Sequence, residues 1–227
     1  GHYPAAPLFK NSANYERLKE KYKDDIVYGQ QRGGVFYIST NIDRVNYNHT
    51  AKTSDAEKTS TKKALLNKDF RQALAFAVDR KAGISQVFGD EVGPRKLRTS
   101  FTPPTFVQVG DQTFGQVTKT ELDKLDNFWK DVSLDDAQDS LHSVDKAKAK
   151  FEAAKKTLQA EGVQFPIHLD LPISSSNPDF IRQVQSYKQS IEEALGSDNV
   201  VVDIQQVSDD ELGSMTTLAT SNANTDW

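Results

Sequence analysis

Cysteine is absent from the 227 residues, and methionine occurs once. No disulfide, no Cys-x-x-Cys redox pair and no thiolate metal site can therefore be built. A chain without cysteine suits an exported protein, although many cytosolic chains lack it too. No apolar run approaches the about 20 residues that cross a bilayer, and no secretory leader is recognisable. An excess of one charge is missing as well: 28 basic and 32 acidic side chains are interspersed and leave a net charge of -4. That balance predicts no nucleic-acid or phospholipid footprint. Nor does the chain carry a G-x-S-x-G elbow, a P-loop, an H-E-x-x-H pair or an EF-hand loop.

What is present is a folded pattern. With 37% hydrophobic and 26% charged residues, the chain suits one large domain or two small ones. Gly1-His2 reads as a cloning remnant, and the abrupt "YPAAPLF" and "NANTDW" read as cut sites, so a piece of a longer protein is expected. Asn14 to Tyr22 reads as a short charged helix capped by Asn14. Ile26 to Tyr28 and Val35 to Thr40 read as strands around a Gly33-Gly34 turn. Asp43 to Thr61 is polar and reads as an exposed insertion. Phe70, Ala73, Leu74, Ala77 and Val78 fall on one helical face. Asn67 caps that helix, Arg80 and Lys81 close it, Gly83 bends or breaks it, and Gly89 suits a left-handed end.

Gly93 to Gly115 reads as loop, with Thr102-Pro103-Pro104 held extended or turned by its prolines. A short acidic helix is expected within Val117 to Leu141. Val144, Ala147, Phe151, Ala154 and Leu158 make the stripe of a lysine-rich helix. Phe165, Ile167, Leu169 and Leu171 alternate as a strand, and Phe180 to Leu195 is helical. Val200 to Val207 is a second strand, and this strand–helix–strand order fits a parallel crossover. Ser208 to Glu211 is a capping box. The class is α/β, or α+β, with one mixed sheet flanked by helices.

Chemistry is sparse. His2, His49, His142 and His168 are not at metal-ligand spacing, and His168 reads as an ordinary surface or half-buried side chain. Ser143-Val144-Asp145-Lys146 matches the S-x-x-K of penicillin-recognising enzymes, but without its S-D-N and K-T-G companions. The plainer reading has Ser143 as an N-cap and Lys146 in solvent, so no enzyme is expected. The lysine-rich helix reads as a solvated face. Asp135, Asp136 and Asp139 read as a turn or helix start rather than a calcium loop. Binding remains, because "VFYISTN" and "SSSN" put aromatics and polar groups beside rigid elements. Plain strand packing accounts equally well for Phe36 and Tyr37.

"LLNKDFRQALAFAVDR" resembles the signature helix of the oligopeptide-binding proteins of ABC importers, solute-binding protein family 5. Asn67, Phe70, Arg71, Ala73, Leu74, Ala77, Val78, Asp79 and Arg80 carry the match. "FTPP" (Phe101 to Pro104), "SVDKAKAKFEAAKKTLQAEG" and "FPIHLDLPISSSNPDF" follow in the family's order, with Ser143-Val144 in place of the usual Asn-Pro. The wording is most similar to streptococcal lipoproteins of the Ami/Ali type. The landmarks in order cover nearly the whole chain.

The resemblance implies a periplasmic-binding-protein type II-like lobe. Residues 1–41 would end the first lobe with a hinge-adjacent strand, and 42–227 would form a truncated second lobe. It implies a parent protein lipid-anchored on the outer face of the bacterial membrane, which captures short peptides and delivers them to an ABC permease. No cofactor is implied. The peptide would lie near Phe36, Tyr37, Ser39 and Asn41, near Thr102 and Pro103, and near Ser174, Ser175, Ser176 and Asn177. The family's G-W-x-x-D segment, whose Asp meets the peptide amino group, has no counterpart before Trp227, so weak or undetectable peptide binding by this stretch alone is expected. The alternative is a surface interaction or peptide-sensing module without a transport role.

Overall fold

The computed structural model of the chain describes residues 13–27, 33–216 and 225–227. Helix α1 (Tyr15–Lys21) stands first among the described elements, followed by α2 (Asp55–Leu66), α3 (Lys68–Ala77) and α4 (Arg80–Val92). A small hairpin, β1 (Gln108–Val109) and β2 (Gln112–Thr113), leads into α5 (Phe114–Leu125). Then come α6 (Val144–Ala160), β3 (Ile167–Ser174), α7 (Pro178–Leu195), β4 (Val200–Val207) and α8 (Asp209–Thr216).

The helix starts are set by local chemistry. Each first turn leaves backbone N–H groups without intrahelical acceptors, and a short polar side chain fills that need. Ser54 and Glu57 form a full capping box at α2. Asn67 accepts the Phe70 N–H at 3.0 Å, and Asn177 accepts the Phe180 N–H at 3.0 Å. Ser208 accepts the Glu211 N–H at 3.2 Å at the start of α8. Thr113 and Gln116 cap α5 reciprocally.

The core lies between α3, α6, α7 and the β3–β4 pair. Phe70, Ala73, Leu74, Ala77 and Val78 are buried, as are Ala147, Phe151, Ala154 and Leu158. Phe70 meets Phe151 with ring centroids 6.3 Å apart, and Phe76 meets Trp129 at 5.8 Å. Burial of Phe70, Phe76 and Phe151 contributes roughly 1.5–3 kcal/mol each. Strands β3 and β4 pair in parallel, Ile167 opposite Val200 and Ser174 opposite Val207, with α7 as the crossover. Seven of the eight β3 residues are buried, so this strand is covered on both faces rather than alternating.

Several local expectations change. No strand forms over Val35 to Thr40 among the described residues: the backbone has no ladder partner there, and Phe36 and Tyr37 are exposed. Ile26 and Val27 are likewise outside any strand, and Tyr28 lies outside the described residues. The described sheet is the parallel β3–β4 pair, with the β1–β2 hairpin separate. Asn14 makes no capping bond to α1.

The signature helix is two helices. Val78 takes an extended ψ of 115°, and Asp79 accepts the Ala82 N–H at 2.8 Å as the N-cap of α4. Arg80 therefore opens a helix rather than closing one, and its guanidinium binds Asp139 at 2.6 Å. Gly83 sits inside α4, where a Cβ would lie 2.1 Å from Cε1 of Tyr187. Glycine is there because the two helices touch, not to end one. Gly89 does adopt a positive φ, 77°, but as a kink with the helix resuming to Val92.

Asp43 to Thr61 is not an exposed insertion. Arg44, Lys52, Ser60 and Thr61 are buried, and Thr61 donates to the His168 carbonyl of β3 at 2.9 Å.

Candidate functional site

Polar side chains gather at the middle and the C-terminal end of β3. Asp170 stands in the strand between Leu169 and Leu171, with none of its surface exposed. A carboxylate buried without partners would be costly. This one receives Arg44 Nη1 at 2.6 Å, Lys52 Nζ at 2.8 Å, the Thr50 hydroxyl at 2.6 Å and the Ala51 N–H at 2.8 Å. Burial pushes the Asp170 pKa up, but the bonds from Lys52, Thr50 and Ala51 outweigh it and hold the carboxyl below its ordinary value.

Asp226 is the second carboxylate of this cluster. It binds Lys52 and lies 3.1 Å from Arg44 Nη1, and its Oδ2 accepts the Asp170 N–H at 2.9 Å. Two cations and two carboxylates thus cancel in a space without solvent. Arg44 also organises its own loop: Nε donates to the Asn46 carbonyl and Nη2 to the His49 carbonyl, each at 2.9 Å. Its guanidinium lies 4.4 Å from the centre of the Tyr47 ring, and burial raises the Tyr47 pKa.

At the end of β3, the hydroxyls of Ser174 and Ser176 lie 2.8 Å apart and both donate to Asp209, in the first turn of α8. Those bonds hold the Asp209 carboxyl below its ordinary value. The Ser175 N–H donates to the Val207 carbonyl at 2.8 Å, so the serine loop is an extension of the β3–β4 pairing. Asn177 caps α7.

A third group forms around segment 33–41, which has no regular secondary structure. Tyr37 packs edge-on against Phe101 with centroids 5.0 Å apart. Phe101 precedes Thr102, whose carbonyl accepts the Ser100 hydroxyl at 2.7 Å, and the Pro103 carbonyl accepts the Phe106 N–H at 3.1 Å. Arg98, ion-paired to Asp136 at 2.9 Å, reaches the Gly33 carbonyl at 3.4 Å. Phe36 and Ser39 are exposed. Asn41 donates its N–H to the Asp226 carbonyl at 3.0 Å, tying this segment to the buried cluster.

The expected site residues therefore fall into two neighbourhoods. Tyr37 meets the residue before Thr102 and Pro103, whereas Ser174, Ser175 and Ser176 group with Asp209. Asn41 leads toward the second group: its loop carries His49, which lies 3.1 Å from Glu211 of α8. Arg44, Lys52, Asp170, Asp209 and Asp226 were not anticipated. The one legible signal is Asp170, a carboxylate inside an apolar strand; Arg44 and Lys52 lie in the stretch that reads as an exposed insertion. Lys146 is also less solvated than expected, because it donates to the Phe128 carbonyl at 2.8 Å. Asp136 and Asp139 of the acidic run are bound by Arg98 and Arg80.

The chain matches the family model of bacterial extracellular solute-binding proteins, family 5 Middle, over residues 5–227, and it belongs to that family. Over its whole length it is 51% identical to oligopeptide-binding protein SarA of Streptococcus gordonii. It is 50% identical to oligopeptide-binding protein AliA and 48% identical to AmiA, both of Streptococcus pneumoniae. It covers 34% of each of these proteins, so it spans about a third of the length of the curated relatives it matches. OppA of Listeria monocytogenes, solved bound to peptide, aligns over 95% of this chain and 33% of its own, with a TM-score of 0.49 and 15% identity. Among the described residues, no helix is long and apolar enough to cross a membrane.

Proposed function

We propose that this chain is part of an extracellular oligopeptide-binding protein that captures short peptides and passes them to an ABC permease. The observation that carries the reading is the match, along the entire chain, to three proteins named for oligopeptide binding, at 48–51% identity. The chemistry accords with it. A mostly exposed segment outside regular secondary structure, with aromatic and small polar side chains, suits main-chain recognition of a peptide, which tolerates many sequences. Residues 1–41 would close one lobe and 42–227 would belong to the other, with the peptide between them. Phe36, Tyr37, Ser39, Asn41, Thr102, Pro103 and Ser174 to Asn177 would face it. The whole protein would be held outside the membrane by a lipid anchor, and no step of this role is catalytic.

The test uses the full-length protein containing this chain. Offered a tryptic digest of casein, it should retain a set of short peptides that mass spectrometry identifies. Retention of none would overturn the reading. A peptide-sensing role without transport is separated by uptake: a strain lacking the gene should take up a labelled retained peptide only when the gene is restored.

A further inference from the structure

The buried charges around β3 have no role in contacting a ligand, since none of the four side chains is more than 1% exposed. Ion pairs of this kind add little net stability compared with apolar packing, because desolvation offsets the attraction. Their distinctive property is geometric: each bond is directional, and loss of one partner strands the others. The elements they join are therefore informative. Arg44 and Lys52 come from the irregular segment after Asn41, Asp170 from the centre of β3, and Asp226 from the 225–227 segment.

Asn41 hangs directly on this arrangement. Its N–H is held by the carbonyl of Asp226 at 3.0 Å, while the side chain of Asp226 is held by Lys52 and Arg44. Its side-chain oxygen accepts the Asp43 N–H at 3.2 Å, one residue before Arg44. The loop between Asn41 and Lys52 is in turn wrapped on the Arg44 guanidinium through the carbonyls of Asn46 and His49. His49 then meets Glu211 of α8, whose Asp209 gathers Ser174 and Ser176.

We infer that Arg44 and Lys52 are positioning residues for peptide binding: with Asp170 and Asp226 they form a clasp that fixes Asn41 beside the 225–227 segment, which is itself bonded to β3. The inference rests on the peptide-binding reading above. The clasp acts through Asn41, so its effect on affinity exists only while Asn41 contacts the peptide.

The experiment is a double-mutant cycle on the full-length protein. The probe is the peptide best retained from a tryptic casein digest, resynthesised and titrated by calorimetry. Arg44→Lys keeps the charge but removes the fork that holds Asn46 and His49. Thr50→Val is the milder variant, removing the hydroxyl bond to Asp170 while leaving all four charges. Whichever of the two stays folded by thermal melting is carried forward. It should weaken the peptide about tenfold, within the range for couplings through a packed network. In an Asn41→Ala background the same change should cost nothing further, because a residue acting through Asn41 is non-additive with it. Additive losses would overturn the inference and leave the clasp as structure alone. So would unchanged affinity in the clasp variant or in Asn41→Ala. If wild type retains no peptide from the digest, the peptide-binding reading itself fails, which is a separate result.

Discussion

Arg44 and Asp170 lie 126 residues apart in the chain and meet at 2.6 Å, with side chains 1% and 0% exposed. The pair fastens a segment without regular secondary structure to the centre of the core sheet. Removing one partner leaves a buried charge without compensation, which costs about 3–5 kcal/mol. Asp170→Asn should therefore lower the stability of the folded chain by that amount. The midpoint of urea unfolding at unchanged slope reads it.

The same carboxylate sets an acid dependence. Its folded pKa lies below the ordinary 3.8, so the unfolded chain takes up a proton first as pH falls. Its contribution is complete above the ordinary carboxylate range and is lost as pH drops through the folded pKa. The stability difference between wild type and Asp170→Asn should be flat from pH 7 to about pH 5 and shrink below about pH 4. Urea titrations at each pH check this.

Helices α4 and α7 touch where Gly83 faces Tyr187. A Cβ on residue 83 would fall 2.1 Å from Cε1 of the ring and 2.7 Å from Cδ1. Tyr187 is buried, and its hydroxyl takes a hydrogen bond from Gln183 at 2.7 Å, so the ring cannot simply swing away. Gly83→Ala should cost about 1–3 kcal/mol, as overpacking does, although alanine favours a helix more than glycine. Thermal melting of Gly83→Ala, with and without Tyr187→Leu, tests it: the second change should recover part of the loss.

Ser143 and Lys146 share the spacing of an acylated serine and its lysine, but their atoms are otherwise engaged. The Ser143 oxygen accepts the Lys146 N–H at 3.4 Å as the cap of α6, and Lys146 Nζ donates to the Phe128 carbonyl at 2.8 Å. A fluorescent penicillin should leave the protein unlabelled, read on a denaturing gel. Ser143→Ala should cost about 1 kcal/mol from the lost cap.

Sequence periodicity exposed the parts of this fold whose partners are local. The caps at Asn67 and Ser143 rest on bonds within one turn, and the stripe through Phe151 and the strand runs at Ile167 and Val200 show as periodicity within their own elements. The break at Val78 was hidden, because Val78 continues the apolar stripe; Asp79, a good cap, was the signal against it. The burial of Arg44 and Lys52 was not legible. Their carboxylate partners, Asp170 and Asp226, are more than a hundred residues away in the chain, and a cation reads as exposed until a carboxylate is found for it. Segment 35–40 has strand composition but no ladder among the described residues, since composition cannot supply a neighbour. Of the candidate site, the serine loop and the aromatic segment were visible as residues, but not the Asp209 that gathers Ser174 and Ser176.

The most direct test is hydrogen–deuterium exchange of the full-length protein with and without a peptide it retains. Bound peptide should slow exchange in 33–41, 101–104 and 174–177 and leave the core of α3 and α6 unchanged. Bound peptide that leaves those three segments unprotected, or protects others instead, would contradict the site described here.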